Sequence, residues 1–165
     1  MGESALTYSL ESEADLAALA AQIAEHWRAQ GLRPLLLGLR GELGAGKTTW
    51  VRASLRGMGY AARVPSPTYT LLERYEVGSV TLVHLDLYRL ADTEELEFLG
   101  IRDWLADERV WMLVEWPQRA EMLMTCCDIL IDFDLTGPTS RRLKFSSQTP
   151  AGDRAVESIA KLNSN

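Results

Sequence analysis

The chain has 165 residues, 47% of them hydrophobic, which suffices for one substantial core and is too short for two ordinary catalytic domains, so a single domain over residues 1–165 is expected. A formal net charge of -6 argues against a generally basic surface that grips nucleic acid by itself, and any RNA connection is expected to run through partner proteins. The opening MGESALTYSLESEAD has neither a basic n-region nor an apolar h-region, and no apolar run approaches the ~20 residues of a membrane span, which predicts a cytoplasmic protein with no membrane partner.

Ser12 followed by Asp15 resembles a capping box, and Leu16, Leu19, Ala20, Ile23 and Trp27 then recur at helical spacing. This predicts an amphipathic helix over residues 13–30, ended by Gly31. LLLGLR at 35–40 is a short apolar run between Pro34 and Gly41, as expected of a strand buried on both faces. After Gly46, the residues Trp50, Val51, Leu55 and Met58 fall at helical intervals, with Gly57 and Gly59 near the end. TYTLLERYE and SVTLVHLDLY read as two strands separated by Val77-Gly78, a β-hairpin or meander that makes part of the sheet antiparallel.

Residues 92–107 carry helix-start chemistry at Asp92 and Thr93 and read as two short helical pieces broken at Gly100. VWMLVEW at 110–116 returns to the buried-strand pattern. The adjacent Cys126 and Cys127 suit neither a long-loop disulfide nor a paired metal knuckle, and are expected to stay reduced. DILIDFDL, a turn at Gly137-Pro138 and RRLKFSS follow, then a helix from Gly152 to Leu162. Trp50, Trp104 and Trp111 are assigned to the core.

GELGAGKT at 41–48 fits GxxxxGK(S/T), the phosphate-cradling P-loop, and sits between the strand and helix that this motif requires. Gly41, Gly44 and Gly46 stand where backbone amides must curl around phosphate oxygens. Lys47 can reach the β- and γ-phosphates, and the Thr48 hydroxyl can ligate Mg²⁺ at the positive end of the following helix. The nucleotide-binding segment is therefore Gly41, Glu42, Leu43, Gly44, Ala45, Gly46, Lys47, Thr48 and Thr49, with ATP and Mg²⁺ as the expected cofactors. Such a site also needs an acidic residue at the end of a neighbouring strand. Asp86 closes TLVHLD and Glu115 closes VWMLVE, and sequence physics alone does not rank them.

Ser66-Pro67-Thr68 lies after the P-loop helix, where nucleotide-switch proteins place a segment that senses the γ-phosphate, and it reads equally as a turn into a strand. His84 shares a strand face with Asp86 and is assigned no catalytic role. Arg89 and Arg102 are read as solvated surface residues.

GELGAGKTT, SPTYTLLERY, HLDLYRLADTEELEFLGIRDWL and VEWP, in that order and spacing, resemble the TsaE (YjeE) family over residues 35–120. The resemblance implies an α/β, P-loop NTPase-like three-layer fold with a mixed central sheet. It further implies an ATPase accessory to synthesis of N6-threonylcarbamoyladenosine at position 37 of tRNA, acting with TsaB and TsaD and meeting tRNA only indirectly. By motif match it gives Lys47 and Thr48 the phosphate and magnesium roles and makes Glu115 the metal-side carboxylate. Asp86 becomes the residue that positions the nucleophile or the water on the metal, and Thr68 falls in the switch segment. Residues around Ser12 are implied to approach the adenine. No water-activating glutamine and no arginine finger stand at a recognisable position, so the chain alone is expected to be a poor catalyst that needs its partners. The rival readings are a small-molecule kinase, for which little chain remains after VEWP to build a lid, and a nucleotide-gated interaction module without essential hydrolysis.

Overall fold

The computed structural model describes residues 5–65 and 70–162, so Ser66, Pro67 and Thr68 lie outside the described residues. In chain order the elements are β1 (Ala5–Leu10), α1 (Glu13–Ala29), β2 (Leu36–Gly41), α2 (Lys47–Gly57), β3 (Leu72–Val77) and β4 (Val80–Asp86). There follow α3 (Glu94–Phe98), α4 (Ile101–Ala106), β5 (Val110–Glu115), α5 (Glu121–Cys126), β6 (Ile129–Leu135), β7 (Arg141–Ser147) and α6 (Pro150–Leu162). The seven strands among the described residues form one sheet in the order β1-β7-β6-β2-β5-β4-β3. The four inner strands β6, β2, β5 and β4 run parallel. Antiparallel pairings extend the sheet through β7 and β1 on one side and β3 on the other.

Alternation along the inner strands divides the apolar side chains between two faces. Leu37, Leu39, Leu113 and Ile131 join Leu16, Ile23, Trp50 and Ile159 in a core under α1, α2 and α6. Leu36, Met112, Val114 and Leu130 join Leu96, Ile101 and Leu123 in a second core under α3, α4 and α5. The result is the three-layer α/β/α arrangement with a mixed sheet that the sequence implies.

Each predicted element is present, with ends shifted by a residue or two, except that β3 begins at Leu72 where the sequence reading began the strand at Thr68, which lies outside the described residues. Ser12 caps α1, its Oγ accepting the Asp15 N–H at 3.1 Å. The β3–β4 turn is Gly78-Ser79, one position later than expected, because Val77 pairs with Val80 and Gly78 takes φ +63°. Gly100, at φ +69°, separates α3 from α4 as expected. Helix α6 begins at Pro150, before Gly152, and Thr149 caps it by accepting the Gly152 N–H at 3.1 Å while donating to Asp128.

Among the described residues, β1, α5 and a single 3₁₀ turn at Pro117–Arg119 were not foreseen. β1 only half-buries alternate residues at the sheet edge, where Leu6, Tyr8 and Leu10 lean on the core. α5 is six residues long, too short for a periodic signal. Trp104 departs from expectation, being only partly buried with its Nε1–H donating to the Leu99 carbonyl at 3.2 Å. Trp50 and Trp111 are core residues, at 1% and 5% exposure. Among the described residues no helix is long and apolar enough to cross a membrane.

Candidate functional site

The site lies at the carboxyl edge of the parallel strands, where β2 has a neighbour on each side and its connection to α2 opens a crevice. The turn from β2 into α2 uses two left-handed glycines, Gly44 at φ +79° and Gly46 at φ +110°, where other residues are strained. A Cβ on Gly46 would also stand 2.4 Å from Leu16 Cδ2 and 2.7 Å from Arg141 Nη1. Gly41 corrects the sequence reading in part. It has no positive φ, and a Cβ there would lie 2.7 Å from the Phe133 carbonyl oxygen, so close packing against β6 requires this glycine.

A cavity of about 350 Å³ opens above the turn. Leu43, Gly44, Gly46, Lys47, Thr48 and Thr49 line it from the loop side, and Asp86, Tyr88, Glu115 and Trp116 from the strand ends. Glu13 and Arg141 complete the wall. Gly41, Glu42 and Ala45 are not among the residues that line the cavity. The carbonyls of Gly41 and Glu42 accept hydrogen bonds from Lys47 Nζ at 2.6 and 2.8 Å, and Ala45 is fully buried.

Thr48, on the first turn of α2, donates its hydroxyl to Glu115, with Oγ1 2.9 Å from Oε1 and 3.2 Å from Oε2. Glu115 is the last residue of β5 and only 3% exposed, and parallel pairing sets it beside Asp86, the last residue of β4. Both carboxylates that the sequence left unranked therefore reach the same cavity, and only Glu115 touches Thr48. His84 Nε2 lies 2.6 Å from Glu115 Oε2. Burial lowers the Lys47 ammonium from its ordinary pKa against the opposing pull of Glu115 and Asp86. Burial raises the Asp86 carboxyl, opposed by the Tyr88 N–H that it accepts at 3.1 Å.

Four wall residues were not assigned to the site from sequence: Glu13, Trp116, Arg141 and Tyr88, whose ring lies 5.2 Å from that of Trp116. Trp116 is the only non-glycine with positive φ among the described residues, at φ 60°, and this backbone turn sets its ring 4.5 Å from Lys47 Nζ. Glu13 accepts from the Thr49 hydroxyl at 2.8 Å, tying the start of α1 to the start of α2, next to the Ser12 region that the resemblance singled out. Arg141, 7% exposed, donates from Nη1 to the Ala45 carbonyl at 3.0 Å and from Nη2 to the Thr139 carbonyl at 3.2 Å. It is a guanidinium at the cavity wall, and its position 96 residues beyond Ala45 gave it no local motif. Arg89 is exposed, and Arg102 pairs with Glu97 at the surface, as read from the sequence.

Together the sheet, the glycine turn and the strand-end carboxylates define a three-layer α/β protein of the P-loop kind. Residues 10–143 match the family described as threonylcarbamoyl adenosine biosynthesis protein TsaE. A tRNA threonylcarbamoyladenosine biosynthesis protein TsaE from Haemophilus influenzae is 39% identical over 128 residues, covering 78% of this chain and 80% of that protein. Its namesake from Aquifex aeolicus is 35% identical over 138 residues, covering 82% and 92%. In fold, the crystal structure of Bacillus subtilis YdiB matches with a TM-score of 0.79 at 23% identity over 99% of both chains. The chain belongs to the TsaE family.

Proposed function

We propose that this chain is a cytoplasmic, single-domain ATPase that binds ATP with Mg²⁺ and acts on the TsaB–TsaD complex in making N6-threonylcarbamoyladenosine at position 37 of tRNA. The observation that carries the ATPase reading is the convergence of Lys47 and Thr48 with Asp86 and Glu115 on one cavity. The donor set fits a small hard cation, because the Thr48 hydroxyl and a Glu115 carboxylate oxygen already stand 2.9 Å apart. Among the described residues no group of three or more His, Cys, Asp and Glu side chains could cage a metal alone, which suits an ion that takes its other oxygens from phosphates and water. Thr48 and Glu115 would hold it. When bound, Mg²⁺ supplies neutralising charge to the phosphate oxygens.

The rest of the chemistry falls to the chain. Lys47 exchanges the carbonyls of Gly41 and Glu42 for β- and γ-phosphate oxygens, and the amides of residues 43–48 close around them. Asp86 orients a water for attack on the γ-phosphorus. As that P–O bond forms, the bond to the β–γ bridging oxygen breaks, and ADP leaves with the electron pair while the water's proton passes to phosphate. Thr68 is assigned to the segment that senses the γ-phosphate. Neither a glutamine nor an uncommitted arginine adjoins the cavity among the described residues, so hydrolysis is expected to be slow until TsaB and TsaD are present.

The test is ATP hydrolysis and tRNA modification in a reconstituted TsaB–TsaD reaction, comparing the unmodified chain with Lys47→Ala and Glu115→Ala. Both variants are expected to lose both activities by about 100-fold or more while still binding the partners. Unaffected modification would overturn the reading. Fast hydrolysis by the chain alone, unchanged by TsaB and TsaD, would remove the partner dependence.

A further inference from the structure

We infer that His84 is a positioning residue for the Glu115 carboxylate, holding one of its oxygens so that the other is presented to Thr48 and to the divalent cation. The inference rests on the proposed magnesium site and deepens it.

His84 and Glu115 are 1% and 3% exposed. His84 sits within β4 opposite Leu113 of β5, so pleat alternation brings Glu115, two residues on, to the same face of the sheet. The imidazole Nε2 then meets Glu115 Oε2 at 2.6 Å, while Oε1 faces the Thr48 hydroxyl at 2.9 Å. A carboxylate only accepts, so the ring must present Nε2–H. Nδ1 has no partner, which leaves the Glu115 contact as the ring's one polar attachment among the described residues. An imidazole placed for general packing alone has no need of this contact, and a buried carboxylate does need donors. Thr48 supplies one and His84 the other. Because Thr48 is also a proposed metal ligand, His84 is the one of these donors that does not contact the cation. Its N–H both satisfies Oε2 and fixes the rotation of the carboxylate plane.

Side chains that hydrogen-bond a metal ligand commonly set metal affinity by about 10–100-fold. The informative readout is therefore the Mg²⁺ dependence of nucleotide binding, separate from turnover. A fluorescent ADP analogue is titrated at a series of Mg²⁺ concentrations, and again in EDTA, with the unmodified chain, His84→Gln and His84→Asn. The longer Gln amide can place an N–H near the position of Nε2, and the Asn amide cannot reach it.

His84→Asn is expected to require about tenfold more Mg²⁺ for half-maximal enhancement of binding, with affinity in EDTA unchanged within about twofold. His84→Gln is expected to recover most of that loss. Two variants indistinguishable from the unmodified chain overturn the role of His84, as do two variants equally impaired both in EDTA and with Mg²⁺, the mark of a purely structural residue. If the unmodified chain itself binds the analogue with no dependence on Mg²⁺, the metal reading fails and the inference falls with it. An Mg²⁺-dependent unmodified chain with unshifted variants removes the inference alone.

Discussion

Asp86 ends β4 half inside the cavity, where burial raises its carboxyl pKa and the neighbouring Glu115 charge adds to the rise, against the Tyr88 N–H, His84 and Lys47. The folded chain therefore binds this proton more tightly than the unfolded chain does. Between the ordinary carboxylate pKa and the raised one, stability falls as pH rises, and at neutral pH the ionised group is held at a cost. Asp86→Asn keeps an oxygen for the Tyr88 N–H and removes the charge. It should raise Tm at pH 7 by on the order of 1–2 °C while hydrolysis falls by about 100-fold or more, the two effects together marking a group kept for function. Thermal unfolding repeated near the ordinary carboxylate pKa should show the stabilisation gone; a gain that persists there would contradict the assigned cause. Asp86 and Glu115 were legible in the sequence because each closes an apolar run in a chain that carries a P-loop signature. The His84–Glu115 contact was not, since it depends on the register of two strands paired through the sheet.

Helix α2 presents the P-loop lysine and threonine from its first turn, and its far end is fixed against α1 by Gly57. A Cβ added there would lie 2.1 Å from the Ala21 carbonyl oxygen, on rigid helix backbone that cannot swing aside. In an isolated helix, replacing glycine by alanine stabilises by about 1 kcal/mol. Here the sign should reverse. Gly57→Ala is expected to destabilise by about 1–3 kcal/mol, a Tm loss of roughly 3–10 °C, because α1 and α2 must separate along their packed faces. A differential scanning measurement with unchanged or raised Tm would show that the two helices can part without cost. Helical periodicity announced both helices, and Gly57 could be read only as a helix-end signal. Its closeness to Ala21 is a property of two elements in three dimensions. β1 and α5 escaped for a different reason: one is a half-exposed edge strand and the other a six-residue turn, and neither buries enough side chains to leave a clear pattern.

At the scale of the whole molecule, strand direction explains why the far end of the sheet returns to the site. The parallel strands β2, β5 and β4 all end at the cavity edge, and β6 runs with them. Because β7 is antiparallel to β6, its first residue Arg141, paired with Leu135, lies at that same edge. Leu10, the last residue of β1, pairs with Arg141 from the other side and leads through Ser12 into Glu13 at the cavity wall. The mixed sheet could be expected from the sequence, whereas this strand order could not, since nothing local specifies which edge β7 and β1 occupy. Arg141 has no carboxylate partner among the described residues; its Nη atoms donate to the carbonyls of Ala45 and Thr139, and its buried Nε is left without a partner. Two carbonyl dipoles and no carboxylate counter-charge among the described residues leave a net positive group beside the glycine turn between β2 and α2. Arg141→Met keeps much of the apolar stem and removes the donors, leaving the Ala45 carbonyl unpaired. That loss is expected to cost about 1–3 kcal/mol of stability, read as a lower Tm. Loss of both the brace and the charge should also weaken binding of a fluorescent ADP analogue by about tenfold, in EDTA as well as with Mg²⁺. Arg141→Lys, which restores charge without the paired Nη donors, should recover part of the affinity and little of the Tm. Equal recovery of both would mean that charge alone matters at this position.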